Sequence, residues 1–285
     1  MTDLADAVTV RLFGGAGNQL FQYAAGRALA DRLSCPLVLD TRYVARSHNR
    51  ADCFEHFANA RFTRDATLPP AKHDGALRYA LWRAFGRSPQ FYREHGLGYD
   101  TRLLDLRRGT YLHGYWQSQR YFGDTATLRR DLAFTTPLDA PNTAMASRIA
   151  AAPGATALHV RRGDYLAAGA YAACSPAYYR RAVAEIAACE GALTCFVFSN
   201  DPIWAKDNLG LGQDTVIVDL NDESAGHFDM ALMAACTHHV IANSTFSWWG
   251  TWLAAAPGIT VAPKDWFAGP QLKNPDICPP EWLRL

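Results

Sequence analysis

Apolar Val8, Val10 and Leu12 alternate with Thr9 and Arg11, the two-residue period of a strand with one buried face. Gly14-Gly15-Ala16-Gly17 follows, then Leu20, Phe21, Ala24, Ala25, Ala28 and Leu29 at helical spacing, then the short apolar run Leu37 to Leu39 ending in Asp40. Strand, glycine loop, helix and strand in that order predict a parallel pair. Residues 41–135 are rich in arginine and aromatics and yield only a helix around Leu77 to Phe85 and a strand at Thr110 to His113. The polar, proline-containing stretch from Thr135 to Asn142 has linker composition. We therefore expect an N-terminal domain over 1–140, a C-terminal domain over 141–265, and a tail, 266–285, packing back on the first domain.

Beyond the linker the rhythm is regular. Strands are predicted at Ala157 to Val160, Cys195 to Phe198, Thr215 to Val218, Val240 to Ala242 and Ile259 to Val261, with helical stretches between them. The clearest helix opens with Ser175 as N-cap and Pro176 at its first position, carries Val183 and Ile186, and stops at Gly191. Alternating strands and helices predict a doubly wound parallel α/β sheet.

Polar residues cluster immediately after these strands: Arg161-Arg162-Gly163-Asp164, Ser199-Asn200-Asp201, Asp219 with Asn221, and Asn243-Ser244-Thr245. Open parallel sheets bind ligands beyond the carboxyl ends of their strands, so the four clusters are expected to line one crevice. Arg161 and Arg162 offer forked donors, and Ser244 or Thr245 caps a helix beginning near Phe246, whose first amides point outward; a diphosphate fits between them. Taken singly, the serine is an ordinary cap and the arginines pair with Asp164 or Asp201; four clusters in register favour the crevice. Asp229 opens a helix whose Met230, Leu232 and Met233 look buried, and two readings stay open for it: a first-turn charge, or an acceptor for a guanine edge.

Composition narrows the classes. Of 285 residues 49% are hydrophobic and 19% charged, with 21 glycines and 15 prolines, which excludes a disordered or low-complexity chain. Lys and Arg total 28 against 27 Asp and Glu, a net +1 that gives a polyanion no field to bind, so nucleic acid is not an expected partner. Seven scattered cysteines without a C-x-x-C pair read as reduced thiols rather than a disulfide framework or zinc site. The N-terminus shows no signal-peptide pattern, and Val240 to Pro263 contains too many polar groups and a Pro257-Gly258 break to be a spanning helix.

Several competing motifs fail on inspection. Gly15-Ala16-Gly17 with Asp40 downstream approaches the dinucleotide fingerprint, but Leu20 stands where its third glycine belongs, so NAD is the weaker reading. His113, His159, His238 and His239 form no H-E-x-x-H spacing, and metal catalysis is not expected. Arg162-Gly163-Asp164 matches the adhesion tripeptide only as three residues after a buried strand. Trp248, Trp249 and Trp252 with Phe246 read as core rather than a sugar platform.

Taken together, Gly14-Gly15-Ala16-Gly17-Asn18-Gln19-Leu20-Phe21-Gln22-Tyr23-Ala24, Gly114-Tyr115-Trp116-Gln117-Ser118, His159-Val160-Arg161-Arg162-Gly163-Asp164-Tyr165 and Asn243-Ser244-Thr245-Phe246-Ser247-Trp248-Trp249-Gly250 resemble the α-1,2-fucosyltransferases of glycosyltransferase family 11. The resemblance implies a GT-B architecture, two Rossmann-like domains facing a cleft. The C-terminal domain would hold GDP-fucose as donor and the N-terminal domain a galactoside acceptor, with no metal or other cofactor.

Carried over residue by residue, Arg161 resembles the arginine that neutralises the donor diphosphate and His159 a contact on the nucleoside side. Arg162, Asn200, Asp201, Asn243, Ser244, Thr245 and Ser247 would complete the donor site, and Asp229 resembles the acid that reads guanine. Gly15, Gly17, Asn18, Gln19, Trp116 and Gln117 would form the acceptor side, with Asn18 and Gln19 reaching across the cleft. The sequence departs from the family at Ala16, where a larger apolar residue is usual, and at Asn200-Asp201, where many relatives carry two acids.

Arg161, Asp164 and Asn18 are the catalytic candidates. Departure of the diphosphate concentrates negative charge there, so a fixed guanidinium stabilises the transition state more than the ground state. Asp164 either takes the acceptor proton or locks an arginine's orientation. The expected activity is inverting transfer of L-fucose to the 2-hydroxyl of a galactoside in a surface glycan. Alternatives are a fucosyltransferase for a peptide or other sugar, or a nucleotide-sugar-binding protein without turnover. A cytoplasmic location is expected, with peripheral association at an inner membrane as its variant.

Overall fold

Val8–Arg11 (β1) and Leu37–Asp40 (β2) pair in parallel through the helix Ala16–Arg32 (α1), as the glycine-loop pattern predicts. The helix lies close because Gly26 faces the sheet: a Cβ there would come within 2.3 Å of Val10 Cγ2. Ala76–Phe85 (α2) leads to Gln90–Arg93 (β3), and Thr110–His113 (β4) completes an all-parallel sheet in the order β2-β1-β4-β3. Thr125–Asp131 (α3), N-capped by Asp124, ends this unit. The computed structural model describes residues 2–44, 52–70, 75–85, 90–162, 174–255, 258–269 and 272–285, and divides into units Met1–Leu132 and Ala133–Leu285.

The first helix of the second unit is Ala140–Ala151 (α4), capped by Asp139, so the second half of the stretch read as a linker is helix, and the two units divide at Leu132/Ala133. Ala155–Val160 (β5), Pro176–Glu190 (α5), Thr194–Ser199 (β6), Pro202–Asn208 (α6) and Thr215–Val218 (β7) follow. Gly226–Ala234 (α7), His238–Val240 (β8), Thr245–Trp252 (α8), Thr260–Ala262 (β9) and Leu283–Arg284 (β10) complete it. The sheet order β10-β9-β8-β5-β6-β7 is parallel throughout. Read from β7 this is third, second, first, fourth, fifth, sixth, the doubly wound order. Each face carries a core: Leu158, Val160, Tyr179, Ile186 and Val197 on one, Ala157, Phe196, Phe198, Leu232 and Met233 on the other.

The tail requires a correction. The tail, expected against the first domain, belongs to the second unit: β10 adds the edge strand beside β9, and the buried Trp248 Nε1 donates to Ile277 O at 2.7 Å. The tryptophans are core, as expected, with Trp248 and Trp249 fully buried and Trp248 packed 5.4 Å from Trp282 of the tail. Among the described residues no helix is long and apolar enough to cross a membrane.

Candidate functional site

In the second unit the chain leaves β5 for β6 on one side, while β8 lies on the other. Such a switch point opens a crevice at the carboxyl ends of the two central strands. β5 delivers His159, Arg161 and Arg162 there, and β8 leads through Ile241 and Ala242 to Asn243, Ser244 and α8.

His159 is buried, its Nδ1 has no hydrogen-bond partner, and its ring lies 5.7 Å from that of Phe246. Burial, with the positive charge of nearby Arg161, pushes its pKa down to about 3, so the imidazole is neutral, with a buried nitrogen left unpaired. Ser244 caps α8 by accepting from Phe246 N at 3.3 Å, leaving other first-turn amides, with Thr245 partly exposed among them. Asp229, in the first turn of α7, accepts from Asn221 Nδ2 at 2.7 Å, and Asn221 exchanges two 2.9 Å bonds with Asn142 of α4. Burial and the neighbouring Asp219 push the Asp229 carboxyl up to about 6.

Other predicted donor-side residues have structural work. Arg162 and Asn200 tie the β5 and β6 ends together, Arg162 N donating to Asn200 Oδ1 at 2.9 Å and Asn200 Nδ2 to Arg162 O at 3.3 Å. The Arg162 guanidinium lies 3.6 Å over Trp204 and 3.8 Å from Asp201, which itself caps α6. Two residues correct the expectation for the phosphate-side loop. Ser247 is fully buried and donates to Ser244 O at 3.1 Å, and buried Asn243 donates to Trp266 O at 2.8 Å; both brace the loop from inside. Gly163 and Asp164, and with them the proton-acceptor expectation, lie outside the described residues.

In the first unit the glycine loop builds one feature. Gly14 has φ +84°, and a Cβ would sit 2.6 Å from Asn18 Nδ2, so glycine both permits the turn and leaves room for that amide. Gly15 takes the N-cap position of α1 and Gly17 is buried in its first turn. Asn18 stays partly exposed and accepts from Gln117 Nε2 at 2.8 Å, joining the first turn of α1 to the loop after β4. Gln19 is instead buried: it donates to Gly14 O at 3.1 Å and accepts from Cys53 N at 3.2 Å. It shapes the loop rather than lining a surface.

Trp116 also departs from expectation. A left-handed φ of +57° turns its side chain fully inward, stacked 6.1 Å from Tyr92 and edge-on to Tyr121. Holding that turn is Glu94, which sequence reasoning missed. Its carboxylate accepts from Tyr115 N at 2.7 Å and Trp116 N at 2.9 Å, and burial raises its pKa to about 7. Gly114 is required beside it, because a Cβ there would lie 2.4 Å from Glu94 Cβ. Gln22, also missed, pins Phe13 through both backbone groups at 3.0 and 3.1 Å. Tyr115 is left exposed, its ring 4.8 Å from Phe13.

The competing motifs find ordinary explanations. Asp40 is buried, gripped by Arg42 at 2.8 Å and by the Tyr111 hydroxyl at 2.6 Å, which fills the role a ribose contact would need. His239 contacts Met233 O at 3.0 Å, and His238 Nδ1 accepts from Ile259 N at 3.1 Å. Among the described residues no group of three or more His, Cys, Asp or Glu side chains could hold a metal ion.

The model of the family described as Glycosyl transferase family 11 matches residues 95–285. An Escherichia coli α-1,2-colitosyltransferase is 30% identical over 98% of both chains, and the E. coli O-antigen biosynthesis glycosyltransferase WbnK is 28% identical over 90% of this chain and 94% of its own. Among solved structures, the NodZ α-1,6-fucosyltransferase soaked with GDP-fucose superposes with a TM-score of 0.54 at 14% identity, over 87% of this chain and 92% of NodZ. At that identity the likeness speaks of fold alone, the GT-B type with a parallel α/β sheet in each unit. With a family model spanning most of the chain and a relative aligned over nearly all of it, this protein is a member of glycosyltransferase family 11.

Proposed function

We propose that this family 11 enzyme moves L-fucose from GDP-fucose to the 2-hydroxyl of a galactoside in a surface glycan, with inversion and without a metal. The observation that carries the reading is the placement of Arg161, neutral His159 with an unpaired nitrogen, and the capped start of α8 at one switch point. Arg161 and the α8 amides would hold the diphosphate, and His159 the nucleoside side. Ionised Asp229 would accept from the N–H edge of guanine, its orientation fixed by Asn221.

In the reaction the acceptor oxygen bonds to the fucose C1 as the C1–O bond to GDP breaks, and the hydroxyl proton passes to a base, for which Asp164 is our candidate. Negative charge grows on the departing diphosphate, so Arg161 acts most strongly at the transition state. Direct displacement of a β-linked donor gives an α product. Asn18, held by Gln117, would orient fucose or acceptor.

The 30% identity to a protein named α-1,2-colitosyltransferase favours a second donor, GDP-colitose. Colitose is fucose without its 3-hydroxyl, so it shares the nucleotide contacts argued above. Incubating the protein with GDP-fucose, GDP-colitose, GDP-mannose and UDP-galactose, a galactoside and a chelator separates these readings. We expect α-1,2 product from a GDP-linked 6-deoxy sugar. Transfer to peptide only, or GDP binding without transfer or donor hydrolysis, overturns the reading.

A further inference from the structure

Helix α2 has two unlike faces. Tyr79 and Trp82 are partly buried and turn inward, 6.0 Å apart, with Trp82 edge-on to Phe91 of β3 at 5.5 Å. The opposite side carries Leu77, Ala80, Leu81 and Ala84 at i, i+3, i+4 and i+7, the stripe that a helix on a globular core normally buries. All four are exposed, Leu77 at 74% and Leu81 at 51%. Other large exposed apolar residues among the described ones include Ile203, Leu220 and Leu272.

The charged residues of α2 itself are Arg78 and Arg83, with no carboxylate in the helix. Arg78 is exposed on one border, and Arg83 occupies the helix position on the other. Over residues 75–93 the sequence holds Arg78, Arg83, Arg87 and Arg93 and no carboxylate. We propose that α2 is a membrane-surface docking helix, laying Leu77, Ala80, Leu81 and Ala84 into the headgroup boundary of an anionic phospholipid bilayer.

The chemistry selects lipid over a second copy of the chain. A two-fold contact through this stripe would set the same arginines against themselves, whereas anionic headgroups supply phosphates to both borders. Arginine side chains can lie along the apolar stripe and extend their guanidinium groups to the headgroup level. Ten residues rise only about 15 Å, half a hydrocarbon core, so the helix lies in the boundary and does not span it. Docking is independent of the transfer reaction proposed above.

The test is co-sedimentation of the purified full chain with phosphatidylcholine vesicles, with and without phosphatidylglycerol, at low and high salt. We expect binding about tenfold tighter to the phosphatidylglycerol vesicles, weakened by salt, and a further drop of about tenfold for Leu77→Glu/Leu81→Glu. Arg78→Glu should remove part of the salt-sensitive component. Both variants change exposed side chains and should keep the wild-type circular dichroism and GDP affinity, separating this outcome from misfolding or a failed donor site. Equal binding by wild type and double variant, or none on anionic vesicles, overturns the proposal. So does a concentration-dependent dimer that the double variant dissolves, which would give the face to a second copy.

Discussion

In the first unit, Gln19, Gln22 and Glu94 commit their polar atoms to backbone groups of nearby loops, leaving partly exposed Asn18, held by buried Gln117, and exposed Tyr115. In the second, His159 keeps a buried nitrogen unpaired and Asp229 is partly desolvated with only a neutral amide as its hydrogen-bond donor. The first edge is built for shape, its motif residues holding a loop in one conformation. The second holds a buried unpaired nitrogen and a desolvated carboxyl, which costs stability. Polar motif residues thus do different work in the two units.

Substitutions should separate the two edges, beginning with the strongest. Arg161→Ala should lower kcat by at least about a hundredfold, read in single-turnover transfer, with circular dichroism unchanged. Near-normal turnover would remove Arg161 from the mechanism. Asn18→Ala should cost about ten- to a hundredfold in kcat while GDP affinity stays at the wild-type level, because the donor edge is untouched. A parallel loss of GDP affinity would contradict that division.

Asp229→Asn should weaken GDP binding about tenfold at pH 8, since the amide replaces an acceptor with a donor. Its stability should move the opposite way. The folded carboxyl titrates at about 6 against an ordinary 3.8, so the stability it contributes is full below pH about 4 and is lost as pH rises through 6. Urea unfolding should therefore show the variant gaining on wild type across that window, by on the order of 2 kcal/mol above it. Identical pH curves would mean that the carboxyl is not desolvated.

The smallest effect belongs to Glu94→Gln. A glutamine has one acceptor oxygen for two backbone N–H groups, so the Trp116 turn loosens and acceptor KM should rise severalfold, with kcat and GDP affinity nearly unchanged. In wild type the same KM should rise as pH falls through about 7, where the carboxyl gains a proton, and the variant should lack that dependence. A shared pH profile would reduce Glu94 to packing.

Much of the second unit was legible because its signals are local. Ser175 and Pro176 start α5, Gly191 ends it at φ +82°, and Ser244 caps α8. The first unit was less so. β3 has exposed ends and a partly buried middle, giving no alternation to read, and it carries the approach to Glu94. Trp116 reads as a surface aromatic until the left-handed backbone that turns it inward is known, and that conformation depends on a carboxylate twenty-two residues earlier in the chain. β10, two residues long, is below the length at which a strand pattern exists, so the tail's place beside β9 comes from tertiary pairing alone. Ser247 matches the polar composition of a phosphate loop, but its helix position points it at Ser244 O.

The most direct test of the central claim is calorimetric titration of wild type and Arg161→Ala with GDP, ADP and NAD in a chelating buffer. Wild type should bind GDP in preference to ADP and NAD without added metal, and Arg161→Ala should lose most of that affinity. Absence of GDP binding, or equal GDP affinity in the two proteins, would contradict it.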